Sequence, residues 1–151
     1  MYYLYMKLPL LMTGLLSVCF LNAQQLEKHR WKNRVIILVS SSFQNDDLQN
    51  QMAILRSDLK GLEERKLVSY QIVDQEYKSG LTSNGTLKPT NEVFLNRFEL
   101  SPTGFSIYLI GLDGGIKLRK DYPAQLPDLY SLIDSMPMRQ SEMRRKSKKN
   151  D

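Results

Sequence analysis

Val35-Ile36-Ile37-Leu38-Val39-Ser40-Ser41-Ser42-Phe43-Gln44-Asn45-Asp46-Asp47-Leu48 carries a strand straight into a helix. The first five residues are an unbroken β-branched and leucine run, which suits a central strand covered on both faces. The serines end it, and Asp46 or Asp47 can cap the helix that follows. Leu48, Met52, Leu55, Leu59 and Leu62 then recur at spacings of four and three, forming one apolar stripe, and Gly61 with Arg65 marks its end. Val68-Ser69-Tyr70-Gln71-Ile72-Val73 reads as a second strand. Strand, helix and strand make a βαβ unit with parallel strands and a right-handed crossover.

Beyond it, residues 75–90 hold Gly80, Asn84-Gly85 and Pro89 and read as a long loop. Asn84-Gly85-Thr86 matches a glycosylation sequon but reads as a turn. Val93, Phe94, Arg97 and Phe98 suggest a short helix opened by Thr90 or Asn91. Phe105 to Ile110 is a third strand. Leu112-Asp113-Gly114-Gly115 signals a hairpin, and Ile116-Lys117-Leu118-Arg119 alternates as a half-exposed edge strand does. Pro127 suits the first turn of a last helix that buries Leu129, Leu132, Ile133 and Met136. Pro137 breaks or kinks that helix, and Met138 to Lys149 reads as a short helix fraying into a basic tail. The order βαβ-α-ββα predicts an α/β, thioredoxin-like single domain. Its central sheet is mixed, four-stranded and flanked by helices.

Residues 1–23 read as a secretory signal peptide. Lys7 is its one charge, Leu8 to Leu21 is apolar or small, and Ala23 offers a small residue for cleavage. A helix over that apolar run would span roughly 21 Å, short of the ~30 Å hydrocarbon core, which weighs against a retained anchor. Met6-Lys7 would make a more typical start than Met1. The single cysteine of the chain, Cys19, falls in this segment, and Val18 before it argues against a lipoprotein. The expected address is periplasmic or secreted, with no membrane span after processing.

Of 151 residues, removal of the leader leaves 128, enough for one domain with a real core. Losing Lys7 lowers the formal charge from +5 to +4. Residues 139–151 hold Arg139, Arg144, Arg145, Lys146, Lys148 and Lys149 against Glu142 and Asp151, so they carry that whole excess and the body at 24–138 is neutral. The boundaries read as a leader at 1–23, a domain at 24–138 and a basic tail at 139–151. A mature chain without cysteine has neither disulfides nor a thiolate. No Cys/His zinc pattern exists, His29 is the sole histidine, and neither metal nor cofactor is expected.

Four stretches carry a further likeness. They are Trp31-Lys32-Asn33-Arg34, Glu64-Arg65-Lys66-Leu67-Val68, Leu109 to Arg119 and Leu132 to Met143. Together they resemble a bacterial domain of unknown function related to the modules of equarin and of sushi-repeat-containing extracellular proteins. The likeness covers roughly residues 26–145. It implies a thioredoxin-like fold distantly similar to peroxiredoxins, an extracytoplasmic location, and animal relatives associated with matrix and adhesion. It supplies no catalytic residues.

A redox thioredoxin places its nucleophile just after the first strand, where the helix dipole lowers a thiol pKa. Here Ser41, Ser42, Phe43 and Gln44 stand there, and a serine hydroxyl needs a neighbouring base to attack anything. The loop's amides and hydroxyls suit anion or peptide binding, against the plainer reading of turn and cap chemistry. Trp31 reads as core packing ahead of ligand stacking, and Asp113 as a hairpin residue ahead of a metal ligand. Met136, Met138 and Met143 read as core filling ahead of a docking patch. Arg144 and Arg145 in the tail could hold a polyanion, although export and the lack of interleaved aromatics argue against nucleic acid. The leading expectation is a non-redox module binding an envelope or surface protein or peptide. The alternatives are an enzyme using carboxylates such as Asp46 or Asp134, and a polyanion-binding surface protein.

Overall fold

The computed structural model describes residues 24–81, 85–90 and 96–150. The segment read as a leader, with Cys19, and also Asn84 and most of the helix expected around Val93, lie outside them. A four-residue helix, α1 (Gln24–Glu27), precedes the first strand, β1 (Arg34–Ser40). Every residue of β1 is buried, as a run apolar on both faces requires. Helices α2 (Asp46–Arg56) and α3 (Leu59–Glu64) lead into β2 (Leu67–Val73), which pairs parallel to β1. Strands β3 (Glu76–Ser79) and β4 (Lys88–Pro89) follow, then the hairpin of β5 (Phe105–Ile110) and β6 (Ile116–Lys120). Helices α4 (Leu126–Asp134) and α5 (Pro137–Asn150) end the fold.

The sheet has six strands in the order β4-β3-β2-β1-β5-β6, and only the β1–β2 pair is parallel. Four of them, β1, β2, β5 and β6, are the strands expected from the sequence; β3 and β4 arise in the stretch read as loop. Asp74 takes a positive φ of 52° there, so a two-residue turn forms without glycine and Val73 faces Glu76 across it. The β5–β6 turn uses Gly114 at φ 81°, as Asp-Gly predicts.

Alternation along β1 divides the core. Ile36 and Leu38 point at α2, α3 and α4, meeting Leu48, Met52, Leu55, Phe105, Leu129 and Ile133. Val35, Ile37 and Val39 point the other way, toward Tyr70, Ile72, Tyr77, Phe98 and Tyr108. The expected single helix over the apolar stripe is two helices. Asp58 caps α3 by accepting from Gly61 N at 2.8 Å, and the turn before it rotates the stripe, so that Leu62 is buried but Leu59 is exposed. Asn45, not Asp46 or Asp47, caps α2, accepting from Leu48 N at 3.1 Å.

Trp31 is not in the core. It is 60% exposed, in a left-handed conformation at φ 62°. The segment after Pro137 is a regular helix of 14 residues, and its residue Arg139 is only 4% exposed. Pro137 therefore starts a helix where the sequence suggested a fraying one, and the first residues of the basic stretch are built into the domain.

Candidate functional site

Two candidate sites lie at opposite ends of the sheet. At the C-terminal end of β1 lies the serine loop. Ser41 N donates to Gly104 O at 3.0 Å, Ser40 Oγ to Ser42 O at 3.0 Å, and Ser42 Oγ to Gln44 Oε1 at 3.2 Å. Gln44 N donates to Ser42 Oγ at 3.0 Å, and Gln49 Nε2 donates to Phe43 O. Lys78 lies 4.2 Å above the Phe43 ring. The polar groups of Ser42 and Gln44 are thus turned on the loop itself. His29 is remote from it, with Nε2 at 2.7 Å from Tyr70 Oη and Nδ1 at 3.2 Å from Asn33 Oδ1. Burial pushes its pKa down against the Asn33 hydrogen bond, with Lys28 and Lys32 adding to the effect.

At the opposite end, three of the four stretches behind the family likeness, those holding Arg34, Arg65 and Arg139, converge on one ionic network. Arg34, at the start of β1, is fully buried; its Nη1 donates to Arg65 O at 2.9 Å and lies 3.3 Å from Glu142 Oε2. Arg139 spans Asp134 at 3.0 Å, Glu64 O at 3.0 Å and Glu142 at 3.5 Å. Arg65 closes on the other oxygen of Asp134 at 2.6 Å and stacks 3.8 Å from the Tyr130 ring. Lys66 joins Glu142 at 3.3 Å and Lys146 joins Glu64 at 3.1 Å. Five cations meet three carboxylates here, so the network has two positive charges in excess. Among the described residues, Arg34 Nε and Nη2 and Arg65 Nε are buried with no hydrogen-bond partner.

Burial favours the protonated form of Asp134, but hydrogen bonds from Arg65 and Arg139 outweigh it and hold the carboxyl below its ordinary value. Burial opposes ionisation of Glu142 too, and the charges of Arg34 and Lys66 reverse that effect. The folded carboxyls bind protons less tightly than the unfolded chain, whose ordinary values are 3.8 and 4.5. Their contribution is therefore complete above those values and lost as pH falls through the depressed ones. The urea midpoint should stay level near neutrality and drop on acidification below about pH 4. A midpoint unchanged between about pH 7 and about pH 3, a range that spans carboxyl titration, would contradict this network.

Above Arg34 the surface opens into a groove of about 580 Å³. Trp31, Leu112, Met136, Pro137 and Met138 supply its apolar lining. The Trp31 amide donates to Leu112 O at 2.7 Å, which ties the tryptophan's backbone to the β5–β6 turn. Asp113 and Lys117 lie at the rim, paired at 2.7 Å, and Asp113 also accepts from Gly115 N at 3.0 Å. Hydrogen bonds from Lys117 and Gly115 hold the Asp113 carboxyl below its ordinary value, so its charge is committed to the turn. Met138 is half exposed and Met136 packs on the core, so the methionines divide between the two roles the sequence offered. A second apolar groove of about 550 Å³ lies between α3 and β2, lined by Leu55, Leu59, Leu62 and Leu67.

Arg144 and Arg145 stand exposed on α5, Arg144 donating to Ser141 Oγ at 3.2 Å. Neither approaches the serine loop, so the candidate residues do not form one site. What the sequence missed is Arg34, which reads as the polar boundary of a strand. An arginine abutting five apolar strand residues was the available signal. Among the described residues no helix is long and apolar enough to cross a membrane.

Residues 25–142 match the family model described as Domain of unknown function (DUF4174). The chain is 29% identical over 133 residues to coiled-coil domain-containing protein 80 of Danio rerio, covering 78% of this chain and 15% of that protein's length. A reduced 2-Cys peroxiredoxin of Plasmodium vivax superposes with a TM-score of 0.55 at 11% identity, over 77% of this chain and 84% of that one. A mitochondrial 2-Cys peroxiredoxin of Plasmodium falciparum gives 0.51 at 11% identity, over 73% and 79%. These structural likenesses establish a thioredoxin-like fold.

Proposed function

The chain belongs to the DUF4174 family of domains of unknown function, and from that premise we propose an exported, non-redox module that recognises a protein or peptide. The observation that carries this reading is the serine loop. Peroxide and disulfide chemistry needs a thiolate, and Ser40, Ser41 and Ser42 occupy the place where the fold would present one. The hydroxyls of Ser40 and Ser42 bond within the loop, and His29 is engaged with Tyr70 and Asn33. Cys19 lies in the segment read as a leader, so the processed chain would hold no sulfur nucleophile. A carboxylate enzyme has less support, because a general acid needs a raised pKa and Asp134 is held low by two arginines. The resemblance to equarin-type and sushi-repeat-containing extracellular modules supports an extracytoplasmic setting.

Polyanion binding is the second reading, favoured by one feature: Arg144, Arg145, Lys148 and Lys149 are all exposed on a single helix. The two separate in one set of measurements on the processed protein. Peroxide consumption and disulfide reduction should not rise above the buffer rate; cysteine-free turnover would overturn the non-redox reading. Retention on heparin that falls steeply with salt, and is lost when those four cations become alanine, would favour the second reading.

A further inference from the structure

We propose that the groove between Trp31 and Met138 is the recognition site, and that it takes an apolar peptide segment carrying a carboxylate. This rests on the binding-module reading above and adds to it the place and the chemistry. Three independent observations converge. The lining includes tryptophan and methionine, residue types enriched at protein interfaces, beside leucine and proline, and Met138 repacks readily around a partner side chain. The floor is Arg34, fully buried, with Nε and Nη2 lacking partners among the described residues. A buried guanidinium with two unmatched donors calls for an acceptor, and the network it belongs to holds two more cations than carboxylates. Asp113, the one acid at the rim, is already paired with Lys117 and would not repel an incoming carboxylate strongly.

The volume of about 580 Å³ fits a few side chains. An acidic residue flanked by leucine, phenylalanine or methionine would place apolar groups against Trp31 and Met138. Its carboxylate would settle toward Arg34 as the methionine side chains shift. The second groove, beside α3, is comparable in size and apolar, but no buried unpartnered donor lines it.

The chain holds a single tryptophan, so its fluorescence reports on this groove alone. The processed protein would be titrated with a pool of capped hexapeptides in which Leu, Phe and Met surround one Asp, and with the same pool bearing Asn. The Asp pool should shift Trp31 emission to the blue and saturate, and the Asn pool should bind at least about tenfold more weakly. Met138→Glu should abolish the response and Met138→Lys should preserve it; both substitute an exposed position, so folding is not at stake. Equal binding of the two pools, or no change in emission with either, overturns the assignment. A saturating shift with laurate and none with the Asp pool would also overturn it, reassigning the groove to fatty acids. Amide shifts mapped on labelled protein separate the two levels. Perturbation confined to Ser41–Gln44 would defeat the groove while leaving the binding module intact, whereas thiol-type turnover would defeat the module itself.

Discussion

Arg139→Ala is expected to lower the thermal midpoint of the domain by about 10 °C. Arg139 is 4% exposed and donates to Asp134, Glu142 and both the backbone and side chain of Glu64. Removing one member of a buried ionic set costs roughly 3–5 kcal/mol, because the partners stay desolvated without it. The lower end applies, since Asp134 keeps Arg65, Glu142 keeps Arg34 and Lys66, and Glu64 is partly in water. At about 3 °C of midpoint per kcal/mol for a chain of this size, the shift follows. The change should also release the start of α5, raising hydrogen exchange over 137–146. Arg139→Lys should recover only part of the loss, since an ammonium cannot span three acceptors as the guanidinium fork does. A drop below about 3 °C in the alanine variant would mean that the network contributes little beyond its geometry.

Gln51→Leu is expected to cost about 3 kcal/mol, although the substitution is hydrophobic and close in volume. Gln51 is fully buried on α2. Its Nε2 donates to Ala124 O at 3.1 Å, and its Oε1 accepts from Ala124 N at 2.6 Å. Ala124 sits in the short connection between β6 and α4, so this amide stands in for a backbone ladder that the connection lacks. Leucine would strand two buried main-chain groups, each costing about 1–3 kcal/mol. Its exposed neighbour Asn50 is the control, where Asn50→Leu should change stability by less than about 0.5 kcal/mol. Urea midpoints of the two variants check this, and similar values for both would refute the role given to Gln51.

The parts of the fold written in local pattern were legible. β1 announced itself by an apolar run, β5–β6 by Asp113-Gly114, and α4 by Pro127 and its buried face. The failures have local causes as well. β3 was hidden because Asp74 takes the positive φ that glycine usually supplies, and because Tyr77 is the strand's only fully buried residue. The break between α2 and α3 was hidden inside a continuous apolar stripe, although Asp58 with Gly61 three residues on was a cap signal. The groove above Arg34 and its network were illegible for another reason. Arg34 and Glu142 are 108 positions apart, and no spacing rule joins residues that only the closed sheet brings together. Trp31 was visible as an aromatic but assigned inward. An aromatic beside a strand ordinarily packs, and its left-handed backbone cannot be read from residue type.

That backbone carries a consequence. A side-chain-bearing residue at φ 62° is disfavoured by about 1 kcal/mol relative to glycine, and an indole 60% exposed recovers only part of this through burial. A polypeptide shaped for persistence alone would have glycine at 31. Retaining tryptophan sets endurance against contact at one position, so a variant with glycine there would outlast the natural chain on heating while losing its grip on whatever it meets.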